Sequence, residues 1–333
     1  HGGMSLETTV TELASLPASF WPRPCKRIRD WQQQGKPLSS YPGAYHQARQ
    51  ALSLSVVQQS CDRIFEQLVA QTTGAAPRSA ARAFLLDGSS IRMTPSPSLN
   101  QRFPPGRNQH GENHWPVLRL LVAHDLQTGL AMRPEWGPMN GPHAVSEQSL
   151  LEKAIGRLPD GSTVIGDANF GVFSVAYAGQ RSGHPVLLRL TRARARRLAG
   201  EQLRDGIDRR VVWKPSRDDR RSHPGLPADA GLRGRLIVRQ VQPNNGAAPI
   251  LLVLFTTLAG AESEIVDLYG QRWNIETDLR TLKTELCMEQ LSCSTPEMAA
   301  KDIEMSVAAY NLVRALIFLA SEQSGIPPRR YSF

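Results

Sequence analysis

Hydrophobic runs and alternating apolar and polar positions predict that the chain consists of short strands and amphipathic helices. In RAFLLDGSSIRM and PVLRLLVAHD, the apolar residues cluster or alternate as they do in buried and half-buried strands. The turn LQTG then predicts a hairpin between the second and third strands. The predicted strands lie at 82–93, 116–125, 130–137, 162–170, 184–190, 236–242 and 249–258. The predicted helices lie at 44–72, 146–157, 173–181, 263–285 and 298–321.

The order of these elements predicts the fold class α/β. Three strands with a hairpin come first, followed by helix, strand, helix and strand, and then by a long interruption before the last helices. That order is typical of an RNase H-like layer with an insertion before its last helix. A helical region precedes it, and GAAPRSAA at 74–81 predicts a linker between the two.

Composition excludes several classes of protein. Of the 333 residues, 41% are hydrophobic and 21% are charged, which describes a globular chain rather than a disordered one. The apolar runs at 251–259 and 307–320 are too short to span a bilayer, so no membrane partner is expected. The four cysteines show no CxxC pair, which favours a reduced compartment and argues against structural zinc. No phosphate-binding glycine motif of the GxxxxGK[ST] or GxGxxG type is present.

The positive charge is concentrated in one segment. The net charge of the whole chain is +9, and residues 184–242 alone hold 15 Lys and Arg against 6 Asp and Glu, the same surplus of nine. Arginine clusters of this kind suit a polyanion, because the guanidinium fork matches phosphate geometry. An arginine-rich solvated surface in a high-GC genome is the alternative interpretation. The cluster of interest for DNA binding is Arg192, Arg194, Arg196 and Arg197.

Two aspartates interrupt or end predicted buried strands. Asp87 follows the apolar run AFLL, and Asp167 follows TVIG at the end of another strand. A carboxylate in such a position is costly unless it binds a metal or a partner. The alternative is that each is a turn or cap residue, and the sequence Gly88-Ser89-Ser90 makes a turn a fair reading for Asp87.

Four polar residues share one stripe of the predicted helix at 263–285. At about 100° per residue, Tyr269, Arg272, Glu276 and Lys283 fall within about 60° of one another. Trp273 and Arg280 lie just beside the stripe. Spacing alone favours an ordinary amphipathic helix with i,i+4 ion pairs. Together with the two aspartates, however, Glu276 would complete an all-oxygen site of the type that Mg²⁺ prefers.

These residues resemble the DDE transposases of bacterial insertion sequences. The subgroup of cut-and-paste type is marked by Tyr-x2-Arg-x3-Glu-x6-Lys, which stands complete here as Tyr269, Arg272, Glu276 and Lys283. The segments FLLDGSS and VIGDANFG are similar to the first and second aspartate motifs of the family. MSVAAYNLVRALIFLAS resembles the helix that follows the motif, and YPGAYHQARQAL resembles the N-terminal helical region. Family members usually continue beyond RRYSF.

The resemblance implies roles for individual residues. Asp87, Asp167 and Glu276 would be the catalytic, metal-binding triad, holding Mg²⁺ (or Mn²⁺ as a substitute), with two ions expected. The residues implied to contact DNA are Tyr269, Arg272, Lys283, Trp273, Arg280, Arg192, Arg194, Arg196 and Arg197. Trp273 is a candidate for stacking on a flipped base, whereas a core role is favoured for Trp213. The chemistry implied is hydrolysis at the end of the element, followed by attack of the freed 3′-OH on DNA.

The domain organisation and partners follow from the same resemblance. The partners would be double-stranded DNA, as terminal inverted repeats and as target, and a second copy of the chain in a synaptic complex. A cytoplasmic location in a bacterium, with nucleoid association when bound to DNA, is expected. The predicted domains are 1–75, a helical N-terminal region with DNA contacts; 80–190, the first part of an RNase H-like catalytic domain; 191–245, an arginine-rich β insertion; 246–290, the second part of the catalytic domain; and 291–333, a C-terminal helical region.

Two other functions stay open from the sequence. One is an RNase H-fold DNA nuclease without strand transfer, and the other is a catalytically silent, domesticated DNA-binding protein. An intact triad argues against the silent protein. Glu147 is a candidate for a fourth carboxylate, although a surface residue is the favoured interpretation, and His110, Glu112 and His114 are interpreted as solvated loop residues.

Overall fold

A computed structural model of the chain describes residues 8, 11–12, 43–72, 82–109, 111–242, 248–286 and 288–333. The predicted linker at 74–81, residue His110 and most of the N-terminal region before residue 43 lie outside the described residues, as do Cys25 and Cys287. Within the described part, the chain is mixed α/β and its strands form a large mixed sheet.

The helices and strands are named here in chain order. The helices are α1 (Gly43–Ala51), α2 (Leu54–Thr72), α3 (Pro97–Arg102), α4 (Glu147–Ala154), α5 (Phe173–Arg181), α6 (Arg192–Ala199), α7 (Arg217–Ser222), α8 (Glu262–Gly270), α9 (Asn274–Thr284) and α10 (Pro296–Ser324). The strands are β1 (Ala83–Met93), β2 (Pro105–Asn108), β3 (Gly111–Asp125), β4 (Glu135–Pro138), β5 (Thr163–Gly166), β6 (Val186–Arg189), β7 (Ile207–Trp213), β8 (Leu232–Val241), β9 (Ile250–Thr256) and β10 (Gln290–Leu291).

The chain divides into two compact units. The first unit consists of His1–Arg78, Ser89–Val145 and Asp278–Phe333, and the second consists of Ser79–Gly88 and Ser146–Thr277. Strand β1 therefore contributes its first half to the second unit and its remainder to the first unit.

The second unit is a sheet whose order from one side is β1, β5, β6, β9, β8 and β7. The first three of these strands, β1, β5 and β6, are parallel. Strand β9 pairs in antiparallel fashion with β6, β8 with β9, and β7 with β8. The parallel strands are fully buried where they pair, as is expected for strands that are covered on both faces. Helix α5 connects β5 to β6, and its residues Phe173, Val175 and Ala176 are completely buried. This parallel part of the sheet places the carboxyl end of β5 next to the middle of β1.

The first unit has a helical and a sheet component. Strand β3 pairs in antiparallel fashion with β2 and β4, and the end of β1 pairs in parallel with β10. Helix α2 packs on the long helix α10, burying Val57, Ile64 and Leu68. Thr295 caps the start of α10 by accepting a hydrogen bond from the Met298 N–H, and Pro296 occupies the first turn, where its missing N–H is harmless.

Helix α10 is long and apolar enough to cross a membrane by length and composition alone. However, 67% of its most apolar window is buried inside the protein. Burial on that scale, with Lys301, Glu304 and Arg314 also enclosed, is what a core helix of a folded domain shows.

Several sequence predictions are confirmed, and others are corrected in detail. The strand predicted at 82–93 runs through Asp87 without a break, so the turn alternative for Asp87 is wrong. The helix predicted at 44–72 is two helices, α1 and α2. The helix predicted at 263–285 is divided into α8 and α9 by a 3-10 turn, Gln271–Trp273, that follows Gly270, a residue of low helix propensity. A continuous helical wheel across this region is therefore only an approximation.

Candidate active site

Asp87 lies within β1, and Asp167 directly follows β5, the parallel strand that pairs with the first half of β1. The register pairs Ala83 with Thr163 and Leu85 with Ile165, so the same offset of 80 residues matches Asp87 to Asp167. Neighbouring strands lie about 4.8 Å apart. The Asp167 carboxylate follows the carboxyl end of β5, where α/β folds commonly bind ligands, and its charge acts on the Asp87 carboxylate in the middle of β1.

The pKa of Asp87 reflects this neighbourhood. Burial raises the pKa of the Asp87 carboxyl to about 6, because the charged form loses hydration. The Gly88 N–H, which donates to Asp87 Oδ1 at 2.8 Å, and the Arg272 guanidinium lower it, whereas the charges of Asp167 and Glu147 raise it further. The three carboxylates and Arg272 thus share one electrostatic neighbourhood.

The turn that follows Asp167 is closed by backbone hydrogen bonds. The N–H of Asn169 donates to Asp167 Oδ1 at 2.8 Å, and the N–H of Gly171 donates to the Asp167 carbonyl at 3.1 Å. Gly171 lies so close to the Arg189 carbonyl that any Cβ would overlap it, so this position requires glycine. The carboxylate of Asp167 is consequently held by a compact turn at the strand end.

Arg194 supports the same turn from helix α6. Its guanidinium donates to the carbonyl oxygens of Ala168 at 3.2 Å and Gly171 at 3.1 Å. The sequence nominated Arg194 as a DNA contact, and that role stays a prediction. The structure adds a positioning role for Arg194. The sequence could not predict this role, because every residue has a backbone carbonyl and its hydrogen bonds do not depend on residue type.

Helix α4 contacts the turn from another direction. The Asn169 side chain donates through Nδ2 to the Glu147 carboxylate, and it accepts through Oδ1 from Gln148 Nε2 at 2.9 Å. Gln148 Nε2 also lies 2.8 Å from the Asn169 carbonyl oxygen. Sequence reasoning set Glu147 aside as a surface residue, and no spacing rule would have joined it to Asn169, 22 residues later.

The residues of α8 and the following 3-10 turn bring further groups to this unit. Tyr269 is buried, which raises the pKa of its hydroxyl to about 12, while the charges of Arg272 and Arg189 lower it and that of Asp167 raises it. Arg272 Nη2 lies 3.3 Å from Glu276 Oε1, one helical turn away. Glu276 therefore pairs with Arg272 in this structure.

The two tryptophans have different environments. Trp273 is 66% exposed, and the Arg272 guanidinium lies over its ring at 5.1 Å from the centroid. Trp213 is buried against Phe173 and Phe255, with ring centroids 6.0 and 4.9 Å away. The core role favoured for Trp213 from the sequence is confirmed. Trp273 offers an accessible aromatic face, as a stacking residue needs.

Arg280 and Lys283 lie on the part of α9 that belongs to the first unit. Arg280 is exposed and Lys283 is half-buried, whereas Leu279 and Leu282 on the same helix are buried. The helix is therefore amphipathic along this part of its length. DNA contacts for Arg280 and Lys283 remain predictions.

The arginines of residues 184–242 fall into two groups. Some are engaged within the protein: Arg235 pairs with Asp208, Arg239 with Glu262 and Arg209 with Glu201. On α6, by contrast, Arg192, Arg196 and Arg197 are exposed, and their side chains have no hydrogen-bond or ion-pair partner among the described residues. These three side chains are available for an anionic ligand.

The donor set fits a divalent cation through the two aspartates. Repulsion between partly buried carboxylates is relieved by a cation, and carboxylate oxygens are the ligands that Mg²⁺ and Mn²⁺ prefer. Among the residues that the structure describes, no group of three or more His, Cys, Asp or Glu is arranged to hold an ion. Glu276 is turned to Arg272 instead.

Comparisons with known proteins agree with the sequence resemblance. Residues 78–312 match the family described as "Transposase DDE domain". Among curated proteins, the chain is similar to "Transposase InsG for insertion sequence element IS4" of Escherichia coli (strain K12). The identity is 25% over 301 residues, which cover 88% of this chain and 65% of that protein. The chain thus spans slightly less than two thirds of the length of this relative.

Proposed function

We propose that this chain, which belongs to the transposase DDE domain family, is a DNA transposase that cleaves the ends of an insertion sequence and joins the freed 3′-OH to target DNA. The nearness of Asp87, on β1, to Asp167, directly after the parallel strand β5, carries the proposal, because metal-assisted phosphoryl transfer uses neighbouring carboxylates as metal ligands. The named function of the curated relative, a transposase for an insertion sequence element, supports the same class of reaction.

The proposed cofactor is Mg²⁺, with Mn²⁺ as a substitute. Proteins of this family act with divalent metal, and Asp87, Asp167 and Glu276 would hold it, as two ions. Bound there, the metal would neutralise charge on the attacking and leaving oxygens of the phosphodiester. For Glu276 to take part, its ion pair with Arg272 has to open.

The remaining motif residues bind and orient DNA in this proposal. A backbone phosphate would replace the Glu276 carboxylate as the partner of Arg272, since guanidinium binds both anions in the same forked geometry. Lys283 and the Tyr269 hydroxyl would each contact a DNA phosphate. The exposed ring of Trp273 would stack on a base that is displaced from the helix.

The architecture is proposed as an RNase H-like catalytic domain interrupted by a DNA-binding insertion. The insertion, 191–245, holds α6, α7, β7 and β8, and it lies in the chain between Asp167 and Glu276. Its exposed arginines on α6 would bind phosphates of the DNA backbone, as would Arg280 on α9. Such contacts do not depend on the base sequence. The regions 1–75 and 291–333 would complete the contacts to the DNA ends.

Two further features belong to the proposal. Paired ends require two active sites, so a homodimer is expected in the synaptic complex with terminal inverted repeats and target DNA. Its substrate places the protein in the bacterial cytoplasm, on the nucleoid.

A cleavage and strand-transfer assay tests the function. The protein is incubated with Mg²⁺ and labelled DNA that carries the inverted repeats flanking its own gene, and products are separated on denaturing gels. Cleavage and joined products are expected for the wild-type chain. Asp87→Asn, Asp167→Asn and Glu276→Gln should each abolish both, because each removes a charged metal ligand while preserving side-chain shape.

The possible outcomes separate the three functions. Cleavage without joining would indicate a nuclease. DNA binding without cleavage, unchanged in the three variants, would indicate a silent DNA-binding protein and would overturn the proposal. Circular dichroism of each variant checks that loss of activity does not reflect loss of fold.

A further inference from the structure

We infer that Glu147 is a positioning residue that holds the two aspartate motifs of the active site at their working separation. The inference rests on the proposed function, and it assigns a role to a side chain that lies outside both motifs and outside the Tyr-Arg-Glu-Lys stripe. Glu147 is the first residue of helix α4, and it contacts the first aspartate motif at Gly88 and the second at Asn169.

The first contact is with the backbone of strand β1. The Glu147 carboxyl group lies so close above Gly88 that a Cβ at Gly88 would overlap its Cδ and Oε1 atoms. The absence of a side chain at Gly88 therefore creates the space that Glu147 fills. Since Gly88 follows Asp87 directly and donates its N–H to Asp87 Oδ1 at 2.8 Å, this contact adjoins the first carboxylate.

The second contact fixes the turn that carries Asp167. Glu147 accepts from Asn169 Nδ2, while Gln148 donates to Asn169 Oδ1 at 2.9 Å, so both ends of the Asn169 amide are engaged by α4. The Asn169 N–H in turn donates to Asp167 Oδ1 at 2.8 Å. A chain of hydrogen bonds therefore runs from Glu147 through Asn169 to the second carboxylate.

Helix α4 is itself well anchored, so it can serve as a reference for both motifs. Ser146 and Ser149 form a reciprocal capping box at its start, and Leu150, Leu151 and Ala154 are buried on its inner face. The Glu147 side chain starts from this fixed helix, so its position is restricted. Glu147 accordingly connects β1 and the turn after β5 through a rigid element that belongs to neither.

The negative charge of Glu147 has an electrostatic cost at this place. Glu147 adds negative charge near Asp87 and Asp167, where repulsion already has a cost in the metal-free protein. Residues that orient metal ligands from outside the ligand shell commonly change metal affinity by about 10- to 100-fold when they are replaced. We therefore expect replacement of Glu147 to lower the metal affinity of the protein more than it lowers its stability.

Mn²⁺ binding to the full chain, measured without DNA by electron paramagnetic resonance, tests the inference. Glu147→Ala is expected to raise the Mn²⁺ dissociation constant by about tenfold. Asn169→Ala should also weaken Mn²⁺ binding, and the effect of the double variant should be smaller than the sum of the two single effects, because both substitutions break the hydrogen bond between Glu147 and Asn169. Glu147→Gln keeps an oxygen that can accept from Asn169, so it should restore most of the affinity.

The matched control is Glu152→Ala. Glu152 leaves the same helix but pairs with His223, with 3.0 Å between Oε1 and Nε2, and its replacement should leave Mn²⁺ affinity unchanged. Thermal melts of all variants verify the fold.

Three outcomes would overturn the inference. Wild-type affinity in Glu147→Ala would show that Glu147 positions nothing, and equal losses in Glu147→Gln and Glu147→Ala would assign the effect to charge rather than to positioning. If Mn²⁺ binding to the wild-type chain does not depend on Asp87 and Asp167, the proposed function fails, and this inference fails with it. The first two results leave the proposed function intact, so the failures are distinguishable.

Discussion

The pKa values of single residues in this protein depend on how much hydration their charged forms lose on burial. Asp87 keeps an elevated pKa because burial and neighbouring carboxylates outweigh the Gly88 N–H and Arg272. The pKa of His124, in the first unit, is shifted in the opposite direction, because burial disfavours the charged form of a base and so lowers its pKa. In both cases the environment, rather than the residue type, decides the charge state.

The stability of the protein should depend on pH through His124. Burial lowers the pKa of this completely enclosed imidazole from 6.5 to about 4, with Asp278 and the Gly129 carbonyl raising it, and Arg329 and Arg314 lowering it. Between these two pH values the unfolded chain binds a proton at His124 that the folded chain does not. The free energy of unfolding should therefore fall as pH decreases from about 6.5 to 4, by on the order of 3 kcal/mol from this group.

Urea titrations at several pH values measure this contribution. His124→Gln should flatten the slope between pH 6.5 and 4, whereas His143→Gln, at an exposed position in the same unit, should keep the wild-type slope. A slope that is unchanged in His124→Gln would contradict the assignment.

At the scale of elements, helix α6 combines two tasks on one short segment. Thr191 caps its start by accepting from the Arg194 N–H, and Gly200 ends it in the left-handed conformation. Arg194 faces inward to the carbonyl oxygens of the Asp167 turn. The exposed arginines, in contrast, are left for a ligand, so one helix supports the candidate site and presents charge to solvent.

The exposed and inward arginines of α6 should therefore give different phenotypes. Arg196→Ala is expected to weaken DNA binding uniformly across sequences and to reduce the slope of log K against log salt concentration by about 0.9, the value for one lost phosphate contact. Fluorescence anisotropy with labelled DNA at several salt concentrations measures that slope.

The control for charge is Arg181→Ala, which removes an exposed arginine at the end of α5, outside the cluster. It should leave the slope unchanged. If both variants lower the slope equally, binding follows net charge and α6 has no special part in it.

At the scale of the whole molecule, buried polar networks connect segments that are far apart in the chain. Within the first unit, Asp278 on α9 accepts from Tyr310 on α10 at 3.1 Å and from Arg329 near the last residues at 2.7 Å. Arg329 also donates to the carbonyls of Asp125 and Leu126 at the end of β3. Phe333 stacks on Tyr310 with the ring centroids 5.2 Å apart. Four segments are thus connected through the ion pair of Asp278 and Arg329.

Arg329→Ala should destabilise the first unit by about 3 kcal/mol, because it leaves the buried Asp278 carboxylate without its strongest partner. Arg330→Ala, at the next and exposed position, should change stability by less than about 0.5 kcal/mol. Calorimetric melts of the two variants give the comparison. Equal melting temperatures would show that the Asp278 network contributes little to stability.

The elements of the fold were largely predictable because their causes are local. Apolar runs located β1, β5 and β9, and apolar periodicity located α2 and α10, since burial of one face follows directly from the spacing of side chains. The boundaries were less predictable. The break between α8 and α9 and the helices α6 and α7 inside the arginine-rich segment depend on packing and capping that residue periodicity does not record.

The same division applies to the candidate site. Residue types and spacing were enough to nominate Asp87, Asp167 and the motif on α8 and α9, because a charge at the end of a buried strand is costly without a function. Only the folded chain decided that strand register sets Asp87 beside Asp167, that Arg272 pairs with Glu276, and that Glu147 reaches Asn169. These residues, apart from Arg272 and Glu276, are far apart in the chain. The distances between their atoms are set by the tertiary structure and cannot be obtained from the local sequence pattern.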